Sequence, residues 1–288
     1  MSRIKVLKTY KLYIGGKFPR TESGRYYSPE VEGVSIGNIC LSSRKDFRNA
    51  VVAARKAQTG WRDRSAFNRS QIVYRIAEMM EDRKTQFIDE LIIQGSSKKA
   101  AKTEVENCID DIIRYAGWCD KYQQVFSSVN PVSSSHFNFS LYEPQGVISI
   151  IAPEENGLKG LILSILPVIC GGNSCVVLAS ESQPLSAVTL GEVLNSSDVP
   201  GGVVNILTGK RKELLTHFTT HKDVNGILYC GNEKKEIELL KSGAASNMKR
   251  FQSYETIEEV SPYLILDFQE VKTGWHPIEK MSESGPAY

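Results

Sequence analysis

From Gly146 to Ala245 the chain alternates short apolar runs with helix-length segments, and that rhythm limits the fold more than any other feature. The runs at 147–152, 174–178, 203–207 and 224–229 lack the apolar-polar alternation of a strand with one wet face. They read as strands buried on both faces, which is the mark of a parallel sheet covered by helices on either side. The segments between and after them, 158–169, 184–194, 211–218 and 233–245, are long enough to be crossover helices. Right-handed crossovers turn four such β-α pairs into a doubly wound α/β sheet of the kind that binds dinucleotides. Punctuation agrees: Gly171-Gly172-Asn173 stops one helix, Pro184 opens the next, and Pro200-Gly201-Gly202 turns the chain into a strand.

The part before Gly146 is mostly helical. An alternating stretch at 11–17 ends in a Gly15-Gly16 hairpin turn. Asp46 is predicted to cap a helix reaching about Thr59, and Ile72, Ile76, Met79, Phe87 and Leu91 predict one helix over 68–94. Val105, Ile109, Ile112 and Ala116 mark a third. A Ser-rich stretch at 126–135 contains Asn130-Pro131 and reads as a turn; after it Phe137, Phe139 and Leu141 alternate with Asn138, Ser140 and Tyr142. This is a strand with a dry face and a wet face, suited to an edge or an interface. Segments 263–268 and 271–275 are predicted to return to β structure. The expected organisation is an α/β body over 10–130 and 143–260, a small β flap over 131–142 and 261–280, and a tail over 281–288.

A formal charge of +2 gives no field that would hold nucleic acid or an anionic membrane, so neither is an expected partner. No stretch approaches the 18 or so apolar residues of a membrane span, and the first residues carry no apolar leader core, so the expected location is the cytoplasm. The six cysteines lie far apart, mostly in apolar runs, and read as reduced, buried thiols. His217 and His221 stand four apart, but no carboxylate or thiol joins them at ligand spacing, and no metal is expected.

Several segments, taken in order, resemble the aldehyde dehydrogenase superfamily: Tyr13-Ile-Gly-Gly-Lys, Tyr115-Ala-Gly-Trp, Glu143-Pro-Gln-Gly-Val, Ile151-Ala-Pro153, Gly172-Asn-Ser, Glu181-Ser-Gln-Pro-Leu-Ser-Ala and Pro200-Gly-Gly-Val-Val-Asn-Ile-Leu-Thr-Gly209. The likeness runs over about 10–250. The opening around Lys8-Thr-Tyr-Lys-Leu-Tyr, the Phe137-Asn-Phe-Ser strand and Val271-Lys-Thr-Gly-Trp-His-Pro look most like the non-catalytic second half of the two-part aldehyde dehydrogenases of the sixteenth family. The resemblance implies a Rossmann-like dinucleotide domain with an oligomerisation flap. It carries over a remnant cofactor site at Pro153, Glu181, Gly231 and Asn232.

The departures from the family pattern fall on its working residues. Active members read Pro-Trp-Asn-Phe-Pro after the first core strand, with the Asn helping to hold the oxyanion; here Pro153-Glu154-Glu155-Asn156-Gly157 puts Glu155 at that place. Losing one such donor costs roughly 2.7–4 kcal/mol, and a carboxylate would also repel the developing charge. Leu178 stands where the family has the Lys that reaches the adenosine ribose. Glu233 puts a carboxylate at the helix start that would receive the pyrophosphate, partly offset by Lys234 and Lys235. Tyr254 takes the position of the general base; Glu255 lies one residue on, where strand alternation would point it to the other face. Between this strand and the C-terminal β segment the family inserts its catalytic domain with the nucleophilic Cys, whereas here only 256–262 fills the interval. Cys230 falls beside the nicotinamide position, but an apolar strand keeps a thiol protonated and inert.

These features predict no catalytic residue and weak or absent NAD(P) binding. The favoured expectation is a non-catalytic subunit, a pseudoenzyme, that forms a homo-oligomer, such as a dimer, or pairs with an active aldehyde dehydrogenase. An NAD(P)-binding sensor and a residual aldehyde oxidoreductase using Cys230 are the alternatives.

Overall fold

The computed structural model describes residues 8–278, so the tail at 281–288 and the last two residues of the expected flap lie outside the described residues. The chain opens with short strands β1 (Thr9–Tyr10), β2 (Tyr26–Tyr27), β3 (Glu30–Val31), β4 (Val34–Ser35) and β5 (Asn38–Cys40). Gly15 and Gly16, at φ 61° and 74°, make the tight turn that returns Lys17 to Ile14. Instead of a free hairpin, this segment lays Tyr13 antiparallel to Ile206, against the edge of the main sheet.

Helices α1 (Arg44–Arg62), α2 (Ala66–Asp82), α3 (Lys84–Ile93), α4 (Lys98–Trp118) and α5 (Tyr122–Phe126) follow. Ser43, not Asp46, caps α1: Asp46 sits three residues in and accepts the Ser43 amide at 2.7 Å, completing a capping box. The single helix expected over 68–94 breaks at Arg83, whose guanidinium pairs with Glu192 at 2.6 Å. Ile76, Met80, Phe87 and Leu91 are buried on both sides of the break, so apolar spacing gives no sign of it.

Strands β6 (Ser128–Asn130) and β7 (His136–Pro144) precede the alternating region: β8 (Val147–Ile151), α6 (Gly157–Cys170), β9 (Ser174–Leu178), α7 (Leu185–Ser196), β10 (Val204–Leu207), α8 (Arg211–Thr220), β11 (Gly226–Cys230), α9 (Lys234–Ala245) and β12 (Arg250–Tyr254). The five strands pair in parallel in the order β10-β9-β8-β11-β12. Every residue of β8, β9, β10 and β11 is buried, as their unbroken apolar character requires. One face packs on α6 and α7, with α2 and α4 behind them; Phe47, Val51, Leu214, Phe218 and Leu240 from α1, α8 and α9 cover the other. The sheet is the doubly wound α/β architecture expected from the sequence.

The last elements are α10 (Tyr263–Leu266) and β13 (Gln269–Pro277). The strand expected at 263–268 is therefore a short helix, opened by Pro262, that buries Ile265 next to α6. Four apolar residues in a row cannot distinguish the two states; the proline before them favours the helix. β13 runs antiparallel to β7 from Gln269↔Pro144 to Pro277↔His136, and β6 pairs with the other edge of β7. Asn173 ties this sheet to the body: its Oδ1 accepts the Gly146 amide at 2.7 Å and its Nδ2 donates to the Phe268 carbonyl at 3.0 Å. Among the described residues no helix is long and apolar enough to cross a membrane.

Candidate functional site

In a parallel sheet, the loops after neighbouring strands part where the winding changes direction, and a crevice opens at their carboxyl ends. Here that point lies between β8 and β11, and a cleft of about 640 Å³ opens there. It is bounded by the Pro153–Gly160 stretch after β8, the Cys230–Glu236 stretch after β11, the start of α8 and the chain beyond β12.

Pro153, Gly231 and Asn232, carried over from the family pattern, all line this cleft; Glu181 does not. The Pro153 ring packs on Gly160, where a Cβ would fall 2.1 Å from its Cγ. Gly231, at φ 154°, donates its amide to the Tyr254 carbonyl at 2.8 Å. The Asn232 side-chain amide donates to Glu255 Oε1 at 2.8 Å, joining the ends of β11 and β12. Glu181 sits in the loop between β9 and α7 and meets the site only through its amide, which donates to Glu154 Oε2 at 2.9 Å.

Six carboxylates line the cleft, Glu154, Glu155, Glu233, Glu236, Glu255 and Glu258, against two cations, Lys159 and Arg211. Glu233 is the residue before α9, and Glu236, in that helix's first turn, accepts from the Tyr229 hydroxyl at 2.7 Å. Acidic residues there complement the helix's own amides and leave less positive potential for an incoming anion. Leu178 closes β9 as a fully buried residue.

Glu255 does not point away from the site: β12 ends at Tyr254, so strand alternation no longer governs the next residue, and Glu255 lines the cleft. The Tyr254 hydroxyl instead donates to Asp267 Oδ2 at 2.7 Å. Cys230 is fully buried, and burial pushes its thiol up to about 12, with Arg211 opposing. At neutral pH it is a thiol, not a nucleophilic thiolate. Cys108, Cys119, Cys170 and Cys175 are equally buried. His217 lies on α8, and His221 follows it with Nδ1 accepting the Asp223 amide at 3.3 Å. Among the described residues no group of three or more His, Cys, Asp and Glu could hold a metal ion.

Sequence reading missed Arg211, the hub of the site. Its Nε lies 2.8 Å from Glu154 Oε1, its Nη1 lies 3.7 Å from Glu236, and it donates to the Ala152 carbonyl at the end of β8. Its guanidinium also lies over the Tyr229 ring. One signal was available: Arg211 is the first residue of α8, where a cation opposes the helix dipole and needs a compensating anion.

A doubly wound sheet with a cleft at its winding reversal defines a domain of the dinucleotide-binding class. Residues 19–255 match the aldehyde dehydrogenase family, and the chain belongs to that family. It is 31% identical over 248 residues to cytosolic 10-formyltetrahydrofolate dehydrogenase of Mus musculus, covering 84% of this chain and 28% of that protein. It is also 31% identical over 245 residues to D-glyceraldehyde dehydrogenase (NADP(+)) of Thermoplasma acidophilum, covering 83% of this chain and 49% of that one. Among solved structures, PnpE in complex with nicotinamide adenine dinucleotide superposes with a TM-score of 0.80 at 25% identity, over 84% of this chain and 50% of PnpE. The chain thus spans about half the length, or less, of these relatives.

Proposed function

We propose that this chain is a non-catalytic aldehyde dehydrogenase-like subunit that assembles through its three-stranded sheet with a second copy or with an active family member. The observation that carries the reading is the charge of the cleft, six carboxylates against two cations at the place where a dinucleotide would lie. A helix N-terminus favours an anion by roughly 0.3–1 kcal/mol, whereas a like charge about 5 Å away costs roughly 3 kcal/mol at an effective dielectric near 20. Glu233 and Glu236 therefore outweigh the start of α9, and affinity for NAD(P) is weak or absent. Leu178, where the resemblance implies a ribose-contacting Lys, removes a further contact.

Three features support the absence of turnover. Glu155 replaces an oxyanion donor in the family pattern, and Cys230 is held as a buried thiol. The stretch between β12 and β13 holds α10 alone, where the resemblance implies a catalytic domain. The sheet of β6, β7 and β13 is the proposed oligomerisation flap, corresponding to 131–142 and 261–280 with β6 added, beside a body of 10–130 and 143–260. Its apolar side chains Val129, Phe137 and Leu141 share one face and are left exposed. A homodimer is the simplest assembly and the cytoplasm the proposed location. Calorimetric titration of the chain with NAD and NADP tests the reading: no saturable heat is expected, and micromolar binding of either would favour a cofactor-binding sensor.

A further inference from the structure

Two helices bring a cysteine each to the same carbonyl group. Cys119 closes α4 and Cys170 is the last residue of α6, and the sulfur of each donates to the Tyr115 carbonyl at 3.6 Å. Two thiols on one acceptor stand side by side, although α5, β6, β7 and β8 separate them along the chain and no Cys-x-x-Cys spacing announces them. Both side chains are fully buried where α4 packs on α6. Burial, and after it the hydrogen bond with Cys119, push the Cys170 thiol well above its ordinary value, so in the closed fold it rests protonated.

The pair lies behind the wall of a cleft of about 500 Å³ that Arg69, Tyr122 and Gly171 help to line. Gly171 follows Cys170 directly, and Tyr122 opens α5 just after Cys119. Arg69 is itself buried; its Nη1 donates to the Arg62 and Arg64 carbonyls at 3.2 and 2.6 Å, while its Nε has no partner. The Arg69 charge opposes the effect of burial on Cys170. A cation beside a thiol favours the thiolate, the form that reacts.

We propose that Cys119 and Cys170 are a latent dithiol that a small hydroperoxide, entering by this cleft, converts to a disulfide joining the ends of α4 and α6. Cys170, as thiolate, attacks one peroxide oxygen; the O–O bond breaks, water or an alcohol leaves with the thiol's proton, and a sulfenic acid remains on the sulfur. Cys119 then attacks that sulfur, the S–O bond breaks, and water leaves with the second proton. The two thiols together give up two electrons and the peroxide takes them. A sulfenic acid enclosed in the core meets the neighbouring thiol before it meets solvent, which directs it to the disulfide and not to higher acids.

The cross-link fixes the root of the three-stranded sheet. The chain leaving Cys119 enters α5, whose Gln123 Oε1 accepts the Tyr142 amide of β7 at 3.3 Å. The chain leaving Cys170 enters Gly171, whose carbonyl accepts Nε2 of Gln269 in β13 at 3.0 Å. One covalent bond therefore ties both supports of the sheet together and restricts the opened chain. This inference does not depend on the reading of the acidic cleft.

The test is peptide mass mapping of the full, folded chain after treatment with hydrogen peroxide, with the remaining thiols alkylated in denaturant before digestion and no reductant added. A single cross-linked peptide pair holding Cys119 and Cys170 is expected, while Cys40, Cys108, Cys175 and Cys230 are recovered as thiols. Cys119→Ser and Cys170→Ser should each abolish the pair. The oxidised chain should melt about 4–8 °C above the reduced one, and the amides of β7 and β13 should exchange more slowly; added reductant should reverse both. Recovery of both cysteines as thiols or as sulfinic acids would overturn the proposal, as would cross-links spread over other cysteine pairs. An oxidised chain that carries the cross-link but melts and exchanges like the reduced one would overturn its role at the root of the sheet. Should either Ser variant fail to fold, the wild-type map and its reversal by reductant decide the matter alone.

Discussion

Replacing Phe137 and Leu141 together by Ser separates assembly from folding. The two side chains lie on the same face of β7, 46% and 43% exposed, so about half of each is available for burial against a partner. Full burial of a large apolar side chain is worth roughly 1.5–3 kcal/mol, so half-burial of two should contribute about 1.5–3 kcal/mol to each surface before ordering costs. In a homodimer both copies lose it, about 3–6 kcal/mol in all, which converts to roughly a 10²- to 10⁴-fold weaker dissociation constant. Val129, 66% exposed, and Phe139, whose ring lies 5.6 Å from that of Phe137, extend the same face, and Phe139 covers Gly274 across the strand pair. The assay is sedimentation or light scattering over a concentration series, with circular dichroism and thermal melting as controls for folding. The expected result is an oligomer in the wild type and a shift toward monomer in the variant at unchanged helix and sheet content. A wild-type chain that is monomeric at micromolar concentration and forms no complex with an active aldehyde dehydrogenase would refute the reasoning, as would a double variant that associates as tightly as wild type.

Three further outcomes follow from the packing. Asn173→Ala leaves the Gly146 amide without its partner and takes one of two donors from the Phe268 carbonyl, which keeps the Gln145 amide, and a loss of about 1–3 kcal/mol in denaturant unfolding is expected, with β13 losing amide protection before the body of the sheet. Gly160→Ala drives a Cβ onto the Pro153 ring, which cannot flex aside, and should lower stability by about 1–3 kcal/mol; an unchanged melting temperature would contradict the tight approach of α6 to the β8 loop. The Cys230 thiol, raised from 9.0 to about 12 by burial, stays protonated in the fold while the unfolded chain ionises, so stability is full below about pH 9 and falls as pH rises toward 12, by about 1.4 kcal/mol per unit for this group. Urea midpoints should therefore drop between pH 8 and pH 10, and Cys230→Ala should flatten that slope.

The β-α run was legible because a strand buried on both faces needs apolar residues throughout, and β8, β9, β10 and β11 meet that requirement in their own sequence. Signals failed where the deciding partner is remote or where two states share one pattern. Tyr263–Leu266 is apolar in either state, and only Pro262 and the packing of Ile265 next to α6 select the helix. The break falls at Arg83, which pairs with Glu192 109 residues away, and leaves the apolar period intact. At the site, the residue types at Pro153, Gly231 and Asn232 were readable from the family pattern, and all three line the cleft. Which carboxylates would gather could not be read, since Glu154 and Arg211 meet only when the ends of β8 and β10 are brought together. Glu255 was read by strand alternation although it lies just past the strand's end.

The proposed absence of aldehyde oxidation is tested most directly by steady-state NAD and NADP reduction by the purified chain over a panel of small aldehydes. No reduction above the rate without protein is expected at any pH from 6 to 9, because the cleft is acidic and its one thiol is buried and protonated. Reproducible turnover that disappears on Cys230→Ser would contradict the account.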